Sequence, residues 1–469
     1  MTTALILVPI GGALWVWITP WRTARAAGGL ALLIALAELA LWIGTTANFD
    51  FAQGGLQYET NVVWFEDLGV SYHVGLQDFT LWLVGLTVLV SAAAIGYGFW
   101  TGRDRTAAYL GLLLFLEGAT VGVFAAHDLL LFYVFWEAML IPLYVLIGVW
   151  GGPGRLGATF KFIAYTMAGS LLMLVAIIAA GLSAGSFDFD AARADQSVWI
   201  FLGFTIAFAV KAPIWPFHGW LPDAYRESPP EVAAVLSGVV SKAAAYGFLA
   251  IAIPFFGEPI ADWRVPVLVL ASIGLVYGSL LAFRAPDIRG VIAYSSLAQM
   301  NLIVIGLFAI NDSGQNGALL QMINHGLISA ALFLLAGTIE RRTATGDLGL
   351  LGGMARGRPA LATALITTGV IALAVPGSSA FAAEFLILNG IFFHGWGWAV
   401  VGAVAIVLAA MYMLRLISAV LHDEPGSAVP EAALDLRPAE IGIVVPLVAV
   451  LLFLSFWPAA ITDHAFIVR

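Results

Sequence analysis

Cysteine is absent from the 469-residue sequence, which excludes disulfides, Cys-ligated iron–sulfur clusters, thiolate zinc sites and covalent c-type haem. Charge is scarce as well. Asp, Glu, Lys and Arg make up 10% of the chain against 61% hydrophobic residues, mean hydropathy is +0.96, and lysine occurs only three times. A soluble multidomain protein of this length needs a charged surface that such a composition cannot supply. No basic stripe with interleaved aromatics is present, so nothing calls for nucleic acid. The formal net charge of -9 is spread over short loops and argues neither way. The N-terminus has no basic n-region and no small-residue cleavage site, so it reads as a first membrane span and not as a signal peptide.

What remains is long apolar runs. A bilayer core about 30 Å thick takes about 20 apolar residues per helix. About fourteen stretches qualify, over roughly 3–19, 27–45, 79–100, 107–125, 129–150, 160–184, 198–217, 232–256, 265–284, 288–310, 317–339, 360–392, 396–420 and 439–460. They predict a single all-α polytopic membrane domain over 1–469. The 360–392 stretch is too long for one straight crossing and must bend or break. Loops that follow odd-numbered spans hold most of the basic residues, among them Arg22, Arg25, Arg103, Arg105, Arg341, Arg342, Arg356 and Arg358. The other loops and the tail hold Arg193, Arg264 and Arg469. This asymmetry predicts odd loops in the cytoplasm and both termini outside. The acidic outer segment 46–78 carries short runs of alternating apolar residues, the pattern of a β-hairpin lying on the outer face.

Charges inside spans are costly, about 2.5–3.5 kcal/mol on insertion scales, and function is the usual reason they persist. Lys211 opens the string Lys211-Ala212-Pro213-Ile214-Trp215-Pro216-Phe217-His218-Gly219-Trp220-Leu221-Pro222-Asp223. Pro213 and Pro216 remove backbone donors and predict a broken helix, which membranes tolerate only where protein or water surrounds it. A lysine at such a break points to a hydrated cavity; snorkelling to an interface is the blander alternative. Lys242 lies deeper, in Ser237-Gly238-Val239-Val240-Ser241-Lys242-Ala243-Ala244, where snorkelling is harder and small residues let helices approach closely. Glu137, in Phe135-Trp136-Glu137, must neutralise or pair, and Lys211 and Lys242 are available partners. Two readings fit Glu117: a protonated or hydrogen-bonded core carboxyl, or a group in a transport path.

Pro376-Gly377 interrupts another apolar segment, with Glu384 just beyond it. Interruptions in the seventh and twelfth spans are five helices apart. That spacing fits two inverted five-helix repeats, spans four to eight (107–256) and nine to thirteen (265–421), flanked by helices in 1–106 and 422–469. His325, in Asn324-His325-Gly326-Leu327, sits well inside a span and is either a proton relay or a satisfied core histidine. His127, His218, His394, His422 and His464 fall near span ends or in loops, where solvation is expected. Gly152-Pro153-Gly154-Arg155-Leu156-Gly157 matches G-x-G-x-x-G but follows no strand, so it is a turn and not a dinucleotide site.

These residues together resemble the antiporter-like proton-pumping subunits of respiratory complex I, NADH:quinone oxidoreductase, over nearly the whole chain. The resemblance is carried by Phe135-Trp136-Glu137, the Lys211 to Asp223 string, Tyr294-Ser295-Ser296-Leu297-Ala298-Gln299-Met300, His325-Gly326-Leu327, and Pro376-Gly377 with Glu384. Glu384, where related subunits usually carry lysine, and an end soon after the last span, without a long lateral helix, resemble the subunit-4 type. The resemblance implies that Glu137 and Lys211 form the input pair, that Lys242 and His325 continue a central axis, and that Glu384 hands protons to the outer side. Glu117, Pro213, Pro216, His218, Pro376 and Gly377 support them. It further implies an energy-transducing inner membrane of bacterial or organellar type, and neighbouring membrane-arm subunits, including related antiporter-like ones, beside lipid and protons. No cofactor is expected in this chain; NADH, FMN, iron–sulfur clusters and quinone belong to other subunits.

The sequence departs from the pattern at Gln299, where many relatives have a second intramembrane histidine, and at Gly290, which replaces a common basic residue. With Gln299, water must bridge that stretch. Competing readings are a subunit of a multisubunit Na⁺/H⁺ antiporter or membrane-bound hydrogenase, and a passive membrane scaffold.

Overall fold

The computed structural model describes residues 1–192 and 197–463; Arg193, His464 and Arg469 lie outside the described residues. The apolar stretches become helices even where β-branched residues run together, as at Ile303-Val304-Ile305, since in lipid a helix satisfies every backbone group internally. In chain order these are α1 (Thr2–Ile18), α2 (Ala24–Ala47), α3 (Asp78–Thr101), α4 (Thr106–Ala125), α5 (Leu129–Trp150), α6 (Arg155–Ala184), α7 (Val198–Lys211) and α8 (Leu221–Glu227). The second half adds α9 (Pro230–Phe255), α10 (Gly257–Arg284), α11 (Ile288–Leu307), α12 (Asp312–Thr343), α13 (Pro359–Ala372), α14 (Ser379–Phe392), α15 (Trp396–Leu421) and α16 (Pro438–Phe456). Eleven of them are long and apolar enough to cross a bilayer, and α1, α7, α13 and α14 are shorter apolar helices. The centre is made by α9, α11 and α12, whose apolar stretches are almost wholly buried, while α2, α6 and α16 turn much of theirs outward.

Both expected interruptions are present. Helix α7 stops at Lys211, and the freed backbone groups find partners, as they must at membrane depth: the Trp220 indole donates to the Val210 carbonyl at 2.9 Å and Asn301 Nδ2 donates to Pro213 O at 3.3 Å. The 360–392 stretch breaks between α13 and α14. Gly377 there has φ +93°, a conformation that side chains disfavour, and Ser378 caps α14 by accepting from Phe381 N. A third irregularity was not foreseen. Within α9, residues 236–240 form a π-helical turn in which Ser241 N donates to Leu236 O instead of Ser237 O.

The 46–78 segment forms the expected hairpin, β1 (Gln57–Phe65) pairing antiparallel with β2 (Val70–Leu76). It is fastened to the helix bundle by His127 N to His73 O at 2.9 Å, Phe187 N to Gly69 O at 3.1 Å and Ser71 N to Asp128 Oδ2 at 3.1 Å.

Two further junctions share one construction. At the start of α5, Leu129 N donates to Phe187 O and Phe189 N to His127 O, while Asp128 caps the helix. At the start of α11, Ile288 N donates to Gly346 O and Leu348 N to Pro286 O, while Asp287 caps the helix. Every residue of the second junction lies 159 positions after its counterpart in the first, as Asp287 does after Asp128 and Asp347 after Asp188.

Candidate functional site

The π-helical turn leaves the Ser237 carbonyl without its usual backbone donor, and Lys242 supplies one: its Nζ donates to Ser237 O at 2.7 Å and to Ser241 Oγ at 3.2 Å. Such turns frequently mark functional positions. Lys242 Nζ also lies 2.7 Å from His325 Nδ1 on α12. With the ammonium donating, Nδ1 is the acceptor and Nε2 carries the ring proton towards Ser296 Oγ, 3.2 Å away on α11. Ser296 Oγ in turn meets Ser237 Oγ at 2.9 Å. The central lysine and histidine, 83 residues apart, thus share one closed polar network, and both are buried.

Beyond it lies a second network. Gln299 Nε2 donates to Glu384 Oε1 at 3.1 Å, and Gln321 Nε2 donates to Gln299 Oε1 at 2.7 Å. Glu384 is 1% exposed and its Oε2 has no protein partner. Between the two networks is a cavity of about 20 Å³ lined by His325, Ser295, Gln299, Gln321, Ser329 and Tyr412. One water needs about 10–15 Å³ and two to four polar partners, so the cavity accommodates a water where Gln299 stands in place of a titrating group.

Lys211 is arranged differently. Its Nζ sits 3.9 Å from the centre of the Trp136 ring, a cation–π contact, and makes no hydrogen bond. Glu137, the next residue along α5, acts on it through space without a direct ion pair, and its Oε1 is buried and unpartnered. Trp136 packs on Phe132 and Phe208, and Phe132 on Tyr246, one turn beyond Lys242. Glu137 and Lys211 are therefore a pair in the electrostatic sense, with an aromatic face as the ammonium's direct neighbour.

Glu117 meets no lysine. It is fully buried on α4 with both oxygens unpartnered, and the charge that acts on it comes from Glu38 of α2, also fully buried and unpartnered. Glu38 was missed in the sequence, although a carboxylate mid-span in Leu36-Ala37-Glu38-Leu39 carries the same signal as Glu117. His218, in the first break, lies edge-on to Tyr277 at 5.1 Å and leaves Nδ1 unpartnered. Pro376 lies in the second break.

One histidine differs from expectation. His127 is buried at the hairpin junction, not solvated, and that burial pushes its pKa down to about 4. His73 lies on β2. It bridges Asp188 (Nδ1 to Oδ2, 2.6 Å) and Glu59 (Nε2 to Oε1, 3.0 Å). A Cβ at residue 290 would strike the Arg226 guanidinium, which pairs with Asp287 at 2.7 Å. Among the described residues no cluster of three or more metal-ligating side chains occurs.

Buried lysines, a histidine and carboxyls beside two broken membrane helices define an antiporter-like polytopic membrane protein. The chain belongs to the NADH:quinone oxidoreductase/Mrp antiporter transmembrane family, which its residues 126–409 match. NADH-quinone oxidoreductase subunit M of Rhodobacter capsulatus is 36% identical over 457 residues, covering 94% of this chain and 89% of that protein. A chain of respiratory complex I from Thermus thermophilus superposes with TM-score 0.91 at 30% identity, covering 99% of this chain and 97% of the other. A chain of the Mrp complex from Dietzia shares the fold, with TM-score 0.87 at 22% identity and 99% and 96% coverage.

Proposed function

We propose that this chain is a proton-translocating subunit in the membrane arm of an NADH:quinone oxidoreductase and moves protons from Glu137 and Lys211 through Lys242 and His325 to Glu384. The 2.7 Å contact between Lys242 and His325, continued by the water-sized cavity to Gln299 and Glu384, carries this reading. A carboxylate near Lys211 favours the charged amine, and its withdrawal or neutralisation releases the proton. Lysine and histidine pass it between Nζ and Nδ1, and the cavity water hands it past the non-titrating amides. The driving force is remote redox chemistry in other subunits, which hold NADH, FMN, iron–sulfur clusters and quinone; this chain acts on no redox substrate of its own.

The two junctions 159 residues apart support a division into two repeats of five helices. Five membrane crossings separate Asp128 from Asp287, so the junctions sit on opposite faces, as inverted repeats require. Each repeat contains one of the breaks. The arginine-bearing ends face the cytoplasm and both termini and the hairpin face outward. Partners are neighbouring membrane-arm subunits, related antiporter-like ones among them, in an energy-transducing membrane.

Lys211→Ala and Glu137→Gln test the reading. In complexes with confirmed assembly, both should lose proton pumping and slow quinone reduction. Pumping near the wild-type level in Lys211→Ala would remove the pair from the path.

A further inference from the structure

A groove runs along the outward faces of α2, α3 and α16, lined by Leu32, Leu36, Leu89 and Ile443, with a volume of about 600 Å³. Arg25 and Trp100 stand at one end of it, and the Arg437 guanidinium lies over Trp100, 5.8 Å from the ring centre. From Arg25 to Leu39, the lining residue farthest along α2, the groove follows the helix for about 21 Å at 1.5 Å per residue. One leaflet of hydrocarbon is about 15 Å deep. The groove therefore matches one acyl chain together with the region where its head group begins.

The charges at the mouth lack a direct ion-pair partner among the described residues, and Arg437 rests on the Trp100 ring. Arg103 is held by Glu231 and Arg342 by Glu440. Arg22, Arg25 and Arg437 make no ion pair among the described residues. Arg22 lines a second hollow across the first turn of α2, together with Trp17, Trp21 and Arg105; Arg105 meets the exposed Asp104 at 3.5 Å and lies 4.9 Å from the Trp150 ring centre. Indole rings and unpaired guanidinium groups at the level of lipid head groups, above an apolar slot one leaflet deep, are complementary to a lipid that brings its own negative charge.

We infer that the groove holds one anionic glycerophospholipid, its phosphate between Arg25 and Arg437 with Arg22 nearby, and one acyl chain lying along α2 towards Leu39. The occupant is a lipid and not a protein helix because the cations sit at one end only, where a head group lies, and the rest of the slot has no polar partner to offer.

The test uses the assembled complex in lipid bilayers with photoactivatable lipids bearing a diazirine in one acyl chain, with adducts mapped onto α2, α3 and α16. Phosphatidylglycerol should label the groove more than phosphatidylcholine, by about 5-fold for each arginine engaged. The double variant Arg25→Gln/Arg437→Gln should bring the two lipids to equal labelling. Gly442→Leu should abolish labelling by both: Gly442 lines the groove and a Cβ there meets nothing within 4 Å, so the larger side chain fills the slot without moving the backbone. A free anion bound at the arginines would be indifferent to Gly442→Leu. Equal labelling by the two lipids in the unaltered complex, a preference that survives loss of both arginines, labelling that survives Gly442→Leu, or a groove that neither lipid reaches because another subunit covers it would each overturn the inference.

Discussion

Replacing Glu384 separates a proton-carrying axis from an inert polar filling. Its Oε1 accepts from Gln299 Nε2, its Oε2 is unpartnered, and no cation touches it among the described residues. In Glu384→Gln the amide oxygen keeps the bond from Gln299, and the cost is an NH₂ left buried in place of Oε2. An unsatisfied group of that kind costs about 1–3 kcal/mol, small enough that assembly should survive. What is lost is the titratable group. A positioned acid or base contributes about 10²–10⁴-fold, so flux through this exit should fall by at least about 100-fold. Glu384→Lys restores a titratable group. The Gln321 Oε1, buried and without a partner, can accept from the new ammonium, and the adjoining cavity of about 20 Å³ gives it room. Lysine should therefore retain part of the pumping. Proton translocation by inverted membrane vesicles, driven by NADH and normalised to assembled complex, measures both variants. Glutamine pumping better than lysine would take Glu384 out of the path and leave it a structural carboxyl.

Orientation is tested with single cysteines, for which the cysteine-free chain gives no background. Leu350→Cys, at an exposed position, should react with an impermeant reagent from the cytoplasmic side only, and Val63→Cys on the hairpin from the outer side only; the reverse pattern would overturn the topology. The hairpin fastening should depend on pH. The hydrogen bond to Asp188, against the opposing effect of burial and aided by Glu59, holds His73 above its ordinary value. Its contribution is then fully present below about 6.5, the unfolded value, and is lost as pH rises through the raised folded value. Amide exchange across 57–76, corrected for intrinsic rates, should accelerate over that range, and His73→Gln should remove the dependence. Protection in the unaltered protein that does not change with pH would refute the latch.

The membrane class, the breaks at Pro213 and Pro376-Gly377, the hairpin and the buried charges Glu137, Lys211, Lys242, His325 and Glu384 were all legible in the sequence. Each is a local contradiction, a charge or a helix breaker inside an apolar run, and the bilayer penalises such contradictions wherever the chain folds to. Glu38 was equally legible and was passed over. Which charges meet was not legible. Lys242 reaches His325 across 83 residues and Gln299 reaches Glu384 across 85, and hydropathy has no term for pairing between distant helices. Pairing by opposite sign suggested that Lys211 or Lys242 would bind a carboxylate directly. Packing instead set Lys211 on an indole ring and Lys242 on a histidine and a carbonyl freed by a π-helical turn. The matching junctions at Asp128 and Asp287 share too few side chains to be noticed in the sequence, because their likeness lies in backbone hydrogen bonds. Composition and spacing determined that this chain lies in a membrane and bears charged residues at its middle. Only the close approach of α9, α11 and α12 decided the order in which those charges touch, since contact distances of 2.7–3.2 Å are set by how helices pack and not by where residues fall along the chain.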